Sequence, residues 1–264
     1  MRQLRAALEP VSDRVGSEAA PDGPPRLAGH GVVSAIIPCL DEEEAIAAVV
    51  TAVRAQGVGD VIVVDGGSRD RTVERATAVG ARVVAEPRRG YGRAVQAGIA
   101  ALRADTDIVV FIDGDGSDRP EFIPDMIAPI AGGRVVFVHG SRIRGDREPG
   151  SLAPQQIAAG HTAGLLLRLI YGVRFTDMSP FRAIRYDALR HLGMRETTYG
   201  WNLEMLMRVA AAGMPYAEIP VGQRRRIGGE SKVSGNALIG IKAAWNIATT
   251  FVRLALSLRS ETRA

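Results

Sequence analysis

The stretch Asp-Ile-Val-Val-Phe-Ile-Asp-Gly-Asp-Gly-Ser-Asp, residues 107–118, decides how this chain is read. Its apolar run from Ile108 to Ile112 has the length and β-branched content of a buried strand. The run ends in Asp113, Gly114 and Asp115, with Ser117 and Asp118 close behind. Carboxylates at i and i+2 on the loop leaving such a strand can converge on one hard divalent cation. Mg²⁺ and Mn²⁺ favour oxygen ligands, and Mg²⁺ commonly shares its sphere with substrate phosphates. Gly114 and Gly116 let the backbone bend around an ion and approach a ligand closely. A plain acidic turn closing a strand has the same sequence, so the surrounding chain has to decide between the two.

Outward from that stretch, strand and helix signals alternate. Val32–Ile37 is an apolar run stopped by Pro38, and Asp41, Glu42, Glu43 and Glu44 open a helix to about Gln56, with carboxylates where a helix N-terminus favours them. Strands at Asp60–Asp65 and Arg82–Ala85 flank a helix that starts at Ser68–Asp70 and runs to about Val79. A helix over Tyr91–Arg103 precedes the central strand, and a helix over Glu121–Ala131 and a strand at Val135–Val138 follow it. This order predicts an α/β fold, a mostly parallel sheet with helices on both faces and a ligand site beyond the carboxyl ends of the strands. After Gly140 the alternation fades. The expectation is a loop at Pro149–Pro154, a helix at Gln155–Tyr171, irregular chain over Phe175–Tyr186, helices at Asp187–Leu192 and Leu203–Ala212, and a strand at Tyr216–Val221 leading into Arg224, Arg225 and Arg226.

The 264 residues are 46% apolar and 23% charged, as expected of a soluble globular protein. The sequence pI is about 9.6, carried almost entirely by arginine, with Lys232 and Lys242 the only lysines. Aromatic residues make up 5% and do not interleave with the basic ones, which argues against a nucleic-acid partner. Cys39 is the sole cysteine, so there is no intrachain disulfide and no cysteine metal cluster, and a cytoplasmic location is expected. Residues 1–30 lack the apolar core of a signal peptide and read as a disordered leader before a domain over 31–235. Residues 236–264 read as an amphipathic C-terminal helix, interrupted by Lys242 and Arg253 and not apolar enough to span a bilayer. Such a helix either lies peripherally on the inner face of the plasma membrane or packs on the domain or a second subunit.

Two more constellations bear on chemistry. Asp65-Gly66-Gly67-Ser68-Arg69-Asp70 sets a carboxylate at a strand end, where a base or ribose can be held, or forms a capped strand-to-helix turn. The GxGxxG dinucleotide fingerprint is absent there, which weighs against an NAD enzyme. Arg88-Arg89-Gly90-Tyr91-Gly92-Arg93 is a basic, glycine-rich loop opening a helix, suited to phosphate or simply to solvent.

In order along the chain, Ile37-Pro38-Cys39-Leu40-Asp41-Glu42, Val64 to Thr72, Arg89 to Ala94, Asp113-Gly114-Asp115-Gly116-Ser117, Gly140-Ser141-Arg142, Pro180-Phe181-Arg182-Ala183 and Arg226 to Lys232 resemble the motifs of family 2 glycosyltransferases of the GT-A fold. The resemblance is nearest to the polyprenyl-phosphate sugar synthases and covers roughly residues 32–235. It implies a nucleotide-sugar donor, of GDP-mannose or UDP-glucose type, with Pro38, Leu40, Glu42, Asp65, Arg93, Asp113 and Gly114 on the donor. It implies Mg²⁺ or Mn²⁺ at Asp113 and Asp115 with Ser117 nearby, Arg226 and Lys232 near the phosphates, and Arg142 and Arg182 on the acceptor. The chain departs from the family in having Asp41 where Asn is common. It also lacks an arginine in the helix after Gly-Ser-Arg until Arg168, which leaves Gln156 or His161 as the polar group there.

The basic second half bears on the acceptor. A sugar hydroxyl is a poor nucleophile and needs a carboxylate or histidine base, whereas a polyprenyl phosphate is already anionic and needs cations to hold it. The expectation is therefore a metal-dependent inverting transfer to a polyprenyl phosphate or other lipid acceptor. The rival is transfer to a hydroxyl with Glu204 as base, Asp177 being a further candidate. A non-catalytic nucleotide-sugar or nucleic-acid binding protein is the reading from another class. Tyr199 and Trp201 are expected to pack rather than to form a sugar platform.

Overall fold

A computed structural model describes residues 31–228 and 248–258. The leader 1–30, Lys232 and the segments 229–247 and 259–264 lie outside the described residues. The first half alternates as its hydrophobic runs require: β1 (Val33–Cys39), α1 (Ile46–Ala55), β2 (Asp60–Asp65), α2 (Thr72–Ala78), β3 (Arg82–Ala85), α3 (Tyr91–Ala100), β4 (Ile108–Phe111), α4 (Ile123–Ala131) and β5 (Phe137–Ser141). The second half adds α5 (Pro154–Tyr171), β6 (Arg182–Arg185), α6 (Tyr186–Leu192), α7 (Trp201–Ala211) and β7 (Tyr216–Pro220). The strands form one seven-stranded sheet in the order β3-β2-β1-β4-β6-β5-β7. All neighbours are parallel except β6, which runs antiparallel to both β4 and β5.

Every residue of β2 and β4 is buried because helices cover both faces of the sheet, which is why these strands read as unbroken apolar runs. Alternate side chains then sort into two cores. Ala35, Ile37, Val61, Val63 and Val110 pack with α1, α2 and α4, whereas Ile36, Ile62, Val64, Val109 and Phe111 pack with α3, α5, α6 and α7. The described part of the C-terminal helix, 248–258, belongs to the second core through buried Phe251 and Leu254, and leaves Val252 and Leu256 exposed. Its described portion therefore packs on the domain. No helix among the described residues is long and apolar enough to cross a membrane.

Three differences from the sequence expectation have evident local reasons. Helix α1 begins at Ile46, not at Asp41, because Asp41 adopts a left-handed φ of 51°. Its amide donates to Ser68 Oγ at 2.8 Å and its carboxylate accepts the Arg69 amide at 2.8 Å, so Asp41 ties the β1 end to the β2 end. Asp tolerates this conformation better than most residues. The turn before α4 is a 3₁₀ turn over Pro120–Phe122. Strand β6 lies in the stretch expected to be irregular. It has four residues with an arginine at each end, so it carries no apolar run, and pairing on both sides makes it a strand.

Helix α3 lies close on the sheet because Gly98 has no side chain: a Cβ there would sit 2.5 Å from Ile36 Cγ2 and 3.0 Å from Val64 Cγ2. Gly98→Ala is expected to destabilise the fold by about 1–3 kcal/mol through overpacking, read as a lower urea midpoint at unchanged slope.

Candidate active site

The carboxyl ends of β1, β2 and β4 open into a cleft of about 950 Å³. Pro38, Cys39, Leu40, Glu42 and Gly66 line it from the first two strand ends, and Asp113, Gly114, Asp115 and Ser117 line it from the third. Glu86, Arg88, Arg89, Gly90 and Tyr91 come from the β3–α3 connection. Arg142, Gly150, Ser151, Ala153 and Gln156 come from the β5–α5 region, Thr198 and Tyr199 from the loop before α7, and Gln223, Arg225 and Arg226 from the chain after β7.

The loop after β4 is wound on itself. The Asp113 amide donates to Asp118 Oδ2 at 3.0 Å, and the Ser117 amide donates to Asp115 Oδ1 at 2.8 Å. Removal from water and the charges of Asp118 and Asp115 push the Asp113 carboxyl well above the usual carboxylate range. Burial and the Asp115 charge likewise raise Asp118 to about 7, against the Asp113 amide and the Arg142 charge. Asp118 Oδ1 is buried with no hydrogen-bond partner. Such a crowd of carboxylates is short of positive charge, and this donor set of hard oxygens fits Mg²⁺ or Mn²⁺. Among the described residues no three His, Cys, Asp or Glu side chains are grouped to hold a metal by themselves.

Arg226 supplies cationic charge here. Its Nη2 donates to Glu42 Oε1 at 2.8 Å, and its Nε stands 3.3 Å from Asp115 Oδ2, so one guanidinium joins the β1 end to the β4 end. The backbone fixes it there: the Ile227 amide donates to the Asp115 carbonyl at 3.1 Å and the Arg224 amide to the Ser117 carbonyl at 2.8 Å. Arg142 is buried and bidentate on Asp177, with Nε at 2.8 Å and Nη2 at 2.9 Å, and its amide donates to the same carboxylate at 3.0 Å. Burial alone would raise Asp177, but the charge and hydrogen bonds of Arg142 prevail and hold it at about 2. Next to them His139 is kept neutral by burial, which pulls it down to about 3.

The remaining sequence candidates are placed as follows. Asp65 is buried behind the cleft and accepts the amides of Gly67 at 3.1 Å and Ser68 at 3.1 Å, so it closes its own turn. Arg93 is on α3 and does not line the cleft. Arg182 is corrected as a surface for an acceptor: it is 0% exposed and donates to the carbonyls of Pro180, Ser179 and Asn202, beneath the cleft. Glu204 is corrected as a base: it is 1% exposed, accepts the amides of Arg195 and Glu196 and pairs with Arg208 at 2.8 Å, and lies outside the cleft. A carboxylate in the first turn of α7 turns back to bond the preceding loop. Gln156 lines the cleft, whereas His161 is on the exposed side of α5.

Sequence reading missed Glu86, whose bonds to the Arg88 side chain at 2.8 and 2.6 Å hold it at about 2. It missed Gln223 and Arg225 as a pair of cleft residues brought in by the bridges of Gln223 to Asp118 and Arg147. Tyr199 is an exposed cleft residue stacked on Tyr91 at 6.2 Å, while Trp201 is in the core as expected.

A sheet of this topology, with acidic strand ends opposed by arginines over one large cleft, defines the class of GT-A nucleotide-sugar transferases. The family model for glycosyl transferase family 2 matches residues 34–193, and the chain belongs to that family. It is a glycosyltransferase. It is 38% identical over 227 residues to an uncharacterised glycosyltransferase of Mycobacterium tuberculosis, covering 84% of this chain and 99% of that one. It is 36% identical over 207 residues to a dolichyl-phosphate hexose transferase of Haloferax volcanii, covering 76% and 87%. Among solved structures it resembles glucosyl-3-phosphoglycerate synthase from Mycobacterium tuberculosis in complex with Mn²⁺, uridine diphosphate and glucosyl-3-phosphoglycerate, at a TM-score of 0.65 and 25% identity over 85% of this chain and 80% of that one.

The Asp177–Arg142 pair yields a pH prediction. Asp177 sits at about 2 against an ordinary 3.8, so its stabilisation is fully present above about pH 4 and is lost as pH falls toward 2. Asp177→Asn is expected to lower stability at pH 7 and to flatten the acid limb of a pH-resolved denaturation series.

Proposed function

We propose that the protein transfers a hexosyl group, with inversion, from a nucleotide-sugar to a polyprenyl phosphate in a metal-dependent reaction. The observation that carries this reading is the chemistry of the cleft beyond Asp115. There Arg142, Gln156 and Arg225 line the cleft; among the described lining residues there is no histidine, and the carboxylates, Glu42, Glu86, Asp113 and Asp115, all follow the ends of β1, β3 and β4. Asp177, the carboxylate beside it, is bonded to Arg142. Helix α5 is 18 residues long, and Ala153 and Gln156 at its start line the cleft, so the positive end of its dipole is turned toward an anion there. The name of the Haloferax relative supports the same acceptor class.

On this reading Asp115, with Asp113 alongside and Ser117 next to it, would hold Mg²⁺ or Mn²⁺, which when bound supplies charge neutralisation for the departing nucleoside diphosphate. Pro38, Leu40, Glu42 and Gly66 bound the nucleoside, with Glu86 and Arg88 at its far side. Arg226 leans from Glu42 to Asp115 and offers a guanidinium to the diphosphate, with Lys232 proposed to add to it. Arg142, oriented by Asp177, and Arg225 bind the acceptor phosphate and align one of its oxygens with the anomeric carbon. That oxygen carries its charge already, so no proton has to be removed, and attack opposite the leaving group inverts the centre. Hydroxyl transfer with Glu204 as base is disfavoured by the place of Glu204 outside the cleft. Residues 236–264 are proposed to help the enzyme meet its lipid at the membrane surface.

The test begins with a thermal-shift screen of UDP-glucose and GDP-mannose with Mn²⁺, where a donor at 100 times its Kd stabilises by about 2.7 kcal/mol. The donor found is then offered with undecaprenyl phosphate, undecaprenol and 3-phosphoglycerate. Transfer to undecaprenyl phosphate alone is expected, and Asp115→Asn should reduce it to background. Glu204→Gln should lower stability more than turnover per folded molecule. Transfer to 3-phosphoglycerate or the free alcohol but not to the phosphate overturns the acceptor assignment.

A further inference from the structure

The loop between α6 and α7, residues 193–200, touches both the cleft and the C-terminal helix. On the cleft side it supports the start of α3. The Gly92 amide donates to the Thr198 carbonyl at 3.2 Å, the Arg93 amide to the Thr197 carbonyl at 3.1 Å, and Gln96 Nε2 to the Glu196 carbonyl at 3.2 Å. Gly90 and Gly92 have no side chains because the Thr197 and Glu196 carbonyls occupy the room a Cβ would need. Tyr199 stacks on Tyr91, and the Tyr91 hydroxyl reaches Asp113 Oδ1 at 3.5 Å. The loop is therefore the backing of Tyr91, and through it of a carboxylate at the centre of the site.

One buried side chain holds the loop in that shape. Glu196 Oε1 accepts the Thr198 hydroxyl at 2.7 Å and the Thr198 amide at 3.2 Å, so it curls the chain that delivers Tyr199. Its other oxygen, Oε2, pairs with Arg253 of the helix 248–258. Thr250 of the same helix rests on Gly200, where a Cβ would be 3.0 Å from Thr250 Cγ2. Phe251 and Leu254 anchor the helix in the core shared with Trp201.

We propose that Glu196 is a positioning residue for the donor side of the cleft, and that Arg253 clamps it, so that docking of the C-terminal helix sets the Tyr199–Tyr91 stack beside Asp113. Glu196 touches no reacting group; it acts through Thr198 and the two tyrosines. For its effect on turnover the proposal rests on the glycosyltransferase reading above, but the contact network itself does not.

The deciding experiment is hydrogen exchange by mass spectrometry on the full-length chain and its variants, which needs no substrate. Arg253→Ala is expected to speed exchange in peptides covering 195–200 and the first turn of α3 by about tenfold, equivalent to 1.4 kcal/mol of lost closing free energy. Peptides from β1 and β2 should be unchanged, which also shows that the variant folds. Arg253→Lys should restore most of the protection, and Val252→Ser, on the exposed side of the helix, should leave the loop as it is. In transfer assays Arg253→Ala and Tyr199→Ala should each raise KM for the donor more than they lower kcat, and the double variant should be no worse than Tyr199→Ala, the signature of one shared route. Faster exchange confined to residues 248–258, or the same loosening in Val252→Ser, overturns the proposal. Should no donor support transfer, the function assigned above fails while the exchange result still decides this one.

Discussion

Like charge held together out of water is the constraint on which the site depends. Asp113, Asp115 and Asp118 leave the end of one buried strand within six residues, and none can move far because the loop is bonded to itself and to the chain after β7. Burial and the neighbouring carboxylates raise Asp113 and Asp118, and such a cluster draws in cations. Arg226 meets Asp115 from one direction and the Arg142 charge acts on Asp113 and Asp118 from another. A nucleotide-sugar diphosphate would add negative charge to this place, and only further positive charge lets it stay. A divalent ion, such as the Mn²⁺ held by the similar glucosyl-3-phosphoglycerate synthase, would meet that balance.

The arginines of the second half divide into two kinds by what surrounds them. Arg142 and Arg226 are fixed by carboxylates that leave part of each guanidinium turned to the cleft. Arg182 and Arg208 are buried and bind backbone or Glu204, so they build the walls. A fixed cation loses little freedom when a phosphate arrives, which is worth more to binding than a mobile one of the same charge.

Most of the donor half was legible in the sequence because each of its motifs is local: a short apolar run ending in Asp or Glu reports both a strand and what stands at its end. Pro38, Leu40, Glu42, Asp113, Gly114 and Asp115 are in the cleft for that reason. Arg142 was legible by resemblance. The rest depends on contacts between distant segments. Glu86 reads as an ordinary residue after an edge strand, Gln223 has no pattern of its own, and nothing in the run Arg224-Arg225-Arg226 says which members face the cleft; Gln156 was named only through a departure from the family's motif. Glu204 shows the opposite error. Its place in a first helical turn is visible in the sequence, but the side to which it turns is decided by the open amides of Arg195 and Glu196. Strand β6 was invisible because pairing on both edges, not apolar content, makes it a strand.

The reversal of β6 has a further meaning for how such a protein can change. Because Phe111 pairs with Arg182, the chain entering β6 arrives at the same rim of the sheet where β4 ends. Thr176 to Phe181 thus lie beneath the cleft, in a segment that shares no helix with β1–α4, and reach it only through Asp177, which holds Arg142. On the proposed reading, the two substrates would be served by separable lengths of chain meeting at one seam. Residues around Asp177 and the start of α5 could then be exchanged in evolution to suit a new acceptor while the β1, β2 and β4 ends stay intact, and one scaffold would supply a lineage of enzymes that differ only in where the sugar goes.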